Sequence, residues 1–229
     1  MSSVLYTGDK IILNVSDNDA VLTRSDSGSF YLESFGQESP YFIIIQWNYD
    51  PVSMYFTQSS IGNPLYVSEF FSLVNPVDNT VLILDDQNRL VSYPRSLLGS
   101  GFESCETDDA GTIKSLAMWA FVTEQCNYTY MGTGNPVVDP ENPVTFGSSH
   151  SIQNIGRVIC SSELCYLRGS IGEPVLAPIL TTTLCPSGDL QDEFLWTVRS
   201  YPQRFRSSPL RSGGYINIYS SLSRGIVSL

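Results

Sequence analysis

Tyr41-Phe42-Ile43-Ile44-Ile45-Gln46-Trp47 is the stretch whose reading decides the fold. Two others resemble it: Leu116-Ala117-Met118-Trp119-Ala120-Phe121 and Phe194-Leu195-Trp196-Thr197-Val198. They hold the chain's only three tryptophans, Trp47, Trp119 and Trp196, set at nearly equal intervals. A short apolar run recurring at such a period predicts an internal threefold repeat, each copy ending in a tryptophan strand. None of the three runs carries a sustained apolar period of about 3.6 residues, so each is expected to be a strand rather than a helix.

Short β-type runs separated by turn residues surround them. Before the first tryptophan come Ile11-Ile12-Leu13-Asn14-Val15, Ala20-Val21-Leu22-Thr23-Arg24 and Phe30-Tyr31-Leu32, with Asp17-Asn18-Asp19 and Ser25-Asp26-Ser27-Gly28 as turns. Before the second come Phe70-Phe71-Ser72-Leu73-Val74, Thr80-Val81-Leu82-Ile83-Leu84 and Leu90-Val91-Ser92-Tyr93. Before the third come Ser151-Ile152-Gln153-Asn154-Ile155, Arg157-Val158-Ile159-Cys160 and Cys165-Tyr166-Leu167. The interval from Val81 to Trp119 equals that from Val158 to Trp196, which suggests that Val158 repeats the role of Val81.

Three four-strand units, each ending in a tryptophan strand, resemble the β-trefoil proteins over roughly residues 8 to 200. The resemblance implies an all-β body, a barrel of six strands capped by three hairpins, which leaves no open sheet edge. Two marks of that family are missing. Ile45, Ala117 and Phe194 stand two residues before the tryptophans, where sugar-binding members carry the Gln of Gln-x-Trp, and the cysteine framework of the Kunitz-type inhibitors is absent. Units as long as these also imply long insertions, expected at 53–64, 99–112, 127–150 and 169–192. A β-sandwich or jelly roll remains the alternative architecture. The expected division is a body over 1–198 and a basic arm over 199–229.

Charge supports that division. The net charge is −11, yet residues 1–193 carry all 23 acidic side chains, and residues 194–229 carry five arginines and no acid. Charged residues make up only 15% of the chain, a composition that suits assembly or binding surfaces. No apolar run approaches the ~20 residues of a membrane span, and the first residues lack the pattern of a secretory signal. An intracellular or virion-associated protein is therefore expected. Five cysteines form an odd set with no C-x-x-C. The first reading is buried thiols in a reducing compartment, and the other is one or two disulfides closing the loops of the second and third units. The sequons at Asn14 and Asn127 matter only in an exported protein.

Little points to catalysis. His150 is the only histidine, in Gly147-Ser148-Ser149-His150, and no Gly-x-Ser-x-Gly elbow accompanies it. One histidine and scattered cysteines predict no zinc site, and the acids of 17–19 and 103–109 do not follow the calcium-loop spacing. Gly132-Thr133-Gly134 runs into Asn135-Pro136, where proline lacks the amide a phosphate would use, so no phosphate loop or cofactor is expected.

The arm is the sharper feature. Arg199, Arg204, Phe205, Arg206, Arg211 and Arg224 are the candidate partner-binding residues, suited to an acidic protein surface. Nucleic acid is a poor partner for so acidic a chain. Tyr128 and Tyr130 form the candidate ligand loop. The chain is thus expected to be a non-enzymatic structural or interaction protein, such as a subunit of a virion or other assembly. A carbohydrate-binding module is the alternative, as the trefoil resemblance implies, and a protease inhibitor comes after it.

Overall fold

The computed structural model describes residues 4–15, 20–24, 26, 30–34, 41–87, 89–122, 142–170, 179–184 and 194–200. They form an all-β protein with one short helix. Its first strands are β1 (Lys10–Val15), β2 (Ala20–Arg24), β3 (Phe30–Ser34), β4 (Phe42–Asp50) and β5 (Tyr55–Gln58). Then come β6 (Phe70–Asn75), β7 (Thr80–Leu84), β8 (Leu90–Pro94), β9 (Gly101–Glu103) and β10 (Trp119–Val122). The last are β11 (Ser149–Asn154), α1 (Ile155–Ser161), β12 (Cys165–Ser170), β13 (Ile179–Leu184) and β14 (Trp196–Ser200).

Six strands pair antiparallel in a closed ring: β1 with β14, β14 with β11, β11 with β10, β10 with β6, β6 with β4, and β4 back to β1. Closure satisfies both sides of every ring strand, so none of them offers an edge for aggregation. Three hairpins, β2–β3, β7–β8 and β12–β13, hang from β1, β6 and β11.

One end of the ring is tied by three backbone hydrogen bonds that run in a circle. Leu65 N–H donates to the Leu5 carbonyl at 2.8 Å, Val144 N–H to Leu65 at 2.9 Å, and Leu5 N–H to Val144 at 2.8 Å. Each of these residues is fully buried and is followed by the same turn. Its third residue after the tie lies in left-handed backbone, at Gly8 (φ 95°), Ser68 (φ 80°) and Gly147 (φ 84°). The amides of Gly8, Ser68 and Gly147 then donate, each at 2.8 Å, to the carbonyls of Ile44, Phe121 and Val198. Glycine takes that conformation freely, whereas Ser68 adopts it at a cost.

These registers correct the tryptophan repeat. Trp119 stands opposite Phe71 and Trp196 opposite His150, and the matching place opposite Ile11 is taken by Phe42. Trp119 and Trp196 are fully buried and donate their indole N–H to hairpin carbonyls, at Leu82 (3.2 Å) and Leu167 (2.9 Å). Trp47 lies further along β4 than Phe42, opposite Phe70, and donates instead to Ser72 Oγ at 3.0 Å. The shared interval from valine to tryptophan was coincidence: the counterpart of Leu82 is Leu167 in β12, and Val158 lies in α1.

Two further expectations change. Residues 157–160 are helical, because the Asn154 side chain accepts the Arg157 amide (3.0 Å) and Gly156 lets the helix lie against the backbone of Ser115. Cys160, on that helix, is disulfide-bonded to Cys105, so the reading of five free thiols in a reducing compartment does not hold. Cys165 is buried in β12, and Cys126 and Cys185 lie outside the described residues. Three stretches expected to be loops contain strands: β5 within 53–64, β9 within 99–112, and β13 within 169–192.

Candidate functional site

Strand β4 outruns the ring. Its far half, Trp47 to Asp50, pairs with β5, and β5 pairs with β9, giving a three-stranded sheet laid on the barrel's outer side. Its inner face is aromatic, as the two-residue alternation requires. Phe56 stacks on Phe102 (centroids 5.2 Å apart) and meets Tyr49 (4.6 Å) and Phe70 (5.9 Å), and Trp47 stands edge-on to Phe102 at 5.4 Å. Phe71, the next residue of β6, points the other way and stacks on Phe121 in the barrel (4.6 Å). Trp47 therefore anchors this sheet rather than closing a repeat.

The outer face is exposed. Asp50, Tyr55 and Glu103 are directly opposed across the three strands, giving a row of acid, aromatic and acid. Gly101 supports the ring: a Cβ there would come within 2.6 Å of Tyr55 Cε1, so only glycine leaves room for the tyrosine to lie across the sheet. Asp50 also shapes the β4–β5 turn, accepting from the Val52 amide (2.9 Å) and from Ser53 Oγ (2.6 Å). The Ser53 hydroxyl first, and then the Val52 amide, hold its carboxyl below the ordinary range, so it stays ionised. The turn leaves large apolar groups in water, with Val52 92%, Met54 47% and Tyr55 38% exposed.

Other acids of the region are occupied by structure. Glu106 is ion-paired with Lys114 and accepts the Glu103 amide. Asp108 accepts from the amides of Thr112 (2.8 Å) and Ala110 (2.9 Å) and from Tyr93 Oη (3.0 Å), and the Thr112 amide leads in holding its carboxyl low. That cluster organises a turn. Among the described residues no three His, Cys, Asp or Glu side chains gather as a metal would need.

His150 is buried in β11, and its geometry runs against a nucleophile. Ser148 Oγ is 2.6 Å from the Thr145 carbonyl and 2.6 Å from His150 Nε2. A carbonyl only accepts, so the single serine proton goes to Thr145 and the imidazole N–H donates to Oγ. His150 thus gives a proton to this hydroxyl instead of withdrawing one. Its Nδ1 is buried with no hydrogen-bond partner, so among the described residues the acid that would orient a triad is missing there. Burial pushes the imidazole down to about 4, which keeps it neutral.

Of the candidate residues from sequence, Arg199 lies in β14 opposite Ile12 and is buried, so the body's last strand continues through Ser200, past residue 198. Arg204, Phe205, Arg206, Arg211 and Arg224, and the ligand-loop residues Tyr128 and Tyr130, lie outside the described residues. Asn14 is fully buried in β1, so its sequon is closed to modification in the folded chain. No helix among the described residues is long and apolar enough to cross a membrane. The site that sequence reasoning missed is the row Asp50, Tyr55 and Glu103. The alternation of Tyr55-Phe56-Thr57-Gln58 after the turn residues Asp50-Pro51 was its signal.

Comparisons with known proteins speak to the fold. No family model matches the chain, and no curated protein does. Among solved structures it is similar to the SDF2-like protein from Arabidopsis thaliana, with 10% identity and a TM-score of 0.50 over 85% of this chain and 94% of that one. It is also similar to a protein of unknown function from Caenorhabditis elegans, with 11% identity and a TM-score of 0.52 over 87% of this chain and 98% of that one. These findings replace the assignment to the β-trefoil proteins, whose name neither neighbour carries and whose supporting tryptophan mark fails at Trp47.

Proposed function

We propose that this chain is a non-enzymatic interaction protein and that its contact surface is the outer face of β4, β5 and β9. The observation that carries the reading is Tyr55, held flat by Gly101 between two carboxylates and next to exposed Val52 and Met54. Exposed aromatic and apolar side chains grouped on a rigid sheet are what protein contacts use as anchors. The basic segment from Arg204 onward is a second contact element, suited to acidic surfaces. A role in a larger assembly follows, in a compartment oxidising enough to keep the Cys105–Cys160 bond, which a virion or cell exterior supplies.

Selection from a displayed peptide library tests this. The wild-type protein should enrich binders that the Tyr55→Ala variant, folded by near-UV circular dichroism, fails to retain. Equal retention by both proteins would remove the face from the reading. The bare tyrosine ring beside carboxylates also favours a second reading, a carbohydrate contact. A glycan array on which wild type and Tyr55→Ala give the same signals would dismiss it.

A further inference from the structure

The two carboxylates beside Tyr55 are not equivalent. Asp50 is spent on its own turn, through the Val52 amide and the Ser53 hydroxyl. Glu103 is tied by its backbone: its N–H donates to Glu106 Oε2 and its carbonyl accepts the Glu106 amide, both at 3.1 Å. The other oxygen of Glu106 holds Lys114, and among the described residues no cation is paired with the Glu103 carboxylate. Glu103 is exposed, and its side chain shares the outer face with the Tyr55 ring.

Strand register sets these two side chains close together. Ser104 N–H donates to the Met54 carbonyl at 2.7 Å, so Met54 and Ser104 are a hydrogen-bonded pair and Tyr55 and Glu103, one step on, are a non-hydrogen-bonded one. In such a pair the Cα atoms stand about 4.5 Å apart and the side chains are nearest. Gly101 lies under the ring, which therefore turns one π face to the sheet and the other to water.

A π face beside one uncommitted carboxylate suits a planar cation. A guanidinium can stack on the ring and donate two N–H groups from its edge to the carboxylate, whereas an ammonium lacks that fork. Charge favours the same visitor. Residues 48–64 and 99–113, which build this face and its turns, carry Asp50, Glu103, Glu106, Asp108 and Asp109 and neither lysine nor arginine. Exposed Val52 and Met54 supply apolar ground for the stem of a long side chain.

We infer that the outer face of β4, β5 and β9 receives an arginine of a partner protein, its guanidinium stacked on Tyr55 and paired with Glu103. This rests on the reading of that face as the contact surface and names the chemistry of the partner's anchor.

Titrating the isotope-labelled full chain with the peptide acetyl-Ser-Val-Arg-Val-Ser-amide, followed by NMR of the backbone amides, tests this. Shifts should centre on Tyr55 and Glu103. The arginine peptide should bind about ten-fold tighter than its citrulline counterpart, which keeps the shape and loses the charge, and about five-fold tighter than the lysine one. Tyr55→Ala and Glu103→Gln, each folded by near-UV circular dichroism, should weaken it by about five-fold or more. Asp86→Asn, which removes an exposed acid of the β7–β8 turn, should leave its affinity within about two-fold. Equal affinities for the three peptides, full binding by Glu103→Gln, or an equal loss in Asp86→Asn would each overturn the inference. A glycan-array signal that depends on Tyr55, with no preference for the arginine peptide, would overturn it in favour of a sugar. If the displayed library yields Tyr55-dependent binders that lack arginine, the face stands as the contact surface and only this chemistry is wrong. If it yields none that depend on Tyr55, both fall.

Discussion

The Cys105–Cys160 disulfide offers the clearest quantitative test of the structure. It joins the turn after β9 to helix α1 across 55 residues of sequence, and so links the outer sheet to the third hairpin unit. Closing a loop of that length lowers the entropy of the unfolded chain by an amount worth about 4 kcal/mol at 25 °C. The native partners are already aligned: Ser115 Oγ sits 3.2 Å from Cys160 Sγ and 3.4 Å from the Cys105 amide. Little native rearrangement should therefore accompany loss of the bond, and nearly the whole effect should come from the freed chain. With a urea dependence of about 2.5 kcal/mol per molar, Cys105→Ser with Cys160→Ser should move the unfolding midpoint down by roughly 1.5 M. Equilibrium unfolding followed by tryptophan fluorescence, with and without reductant, measures this. Reductant should bring the wild type to the midpoint of the double variant and leave the variant itself unmoved. Equal midpoints for the oxidised wild type and the variant would show that the two cysteines are not joined in solution, and the argument would fail.

Three further outcomes follow from packing and charge. Trp196→Ala empties a fully buried site and should cost about 3–5 kcal/mol, whereas Phe42→Trp, at the matching place in the first unit, should leave a folded protein; chemical denaturation of each decides the correspondence. Gly156→Ala would set a Cβ 2.3 Å from the Ser115 carbonyl oxygen, and the displaced helix should lower stability by roughly 1–3 kcal/mol in the same assay. His150 has a folded pKa of about 4 below its ordinary 6.5, so the unfolded chain binds the extra proton first and stability falls as pH drops from 6.5 towards 4. That loss approaches about 3 kcal/mol. Asp9 and Glu69, raised by burial, act in the opposite sense, so the readout is the difference between wild type and His150→Phe. Parallel pH profiles for the two proteins would refute it.

Much of the fold was legible because local chemistry and tertiary structure agree. β1 to β3 and β6 to β8 are short β-type runs between turn residues, and β11 and β12 fall where such runs were read. The misreadings share one cause, which is that tertiary contacts decided them. Ile155-Gly156-Arg157-Val158-Ile159-Cys160 has the β-branched content of a strand. It is nevertheless helical, through the Asn154 cap and the close approach to Ser115 that Gly156 permits. Trp47 drew attention as a rare residue, yet the repeat is written in backbone conformation. Its marks are Leu5, Leu65 and Val144 with the left-handed residues after them, and Ser68 conceals one of those by not being glycine. The candidate site stayed hidden for a similar reason. Asp50, Tyr55 and Glu103 are scattered in the chain, and only strand register lines them up.

The circular tie among Leu5, Leu65 and Val144 also bears on how the chain is made. Each carbonyl in the circle waits on an amide from another third of the molecule, and β1, which precedes the other ring strands in sequence, takes β14 as one neighbour. The ring thus stays open until Trp196 to Ser200 have left the ribosome. Contacts between such distant parts of a sequence form slowly. A growing chain holds one edge of β1 unclaimed for that whole interval, and one edge of β11 once it is made, so its yield should respond to translation speed and to chaperone supply more than its finished stability would suggest.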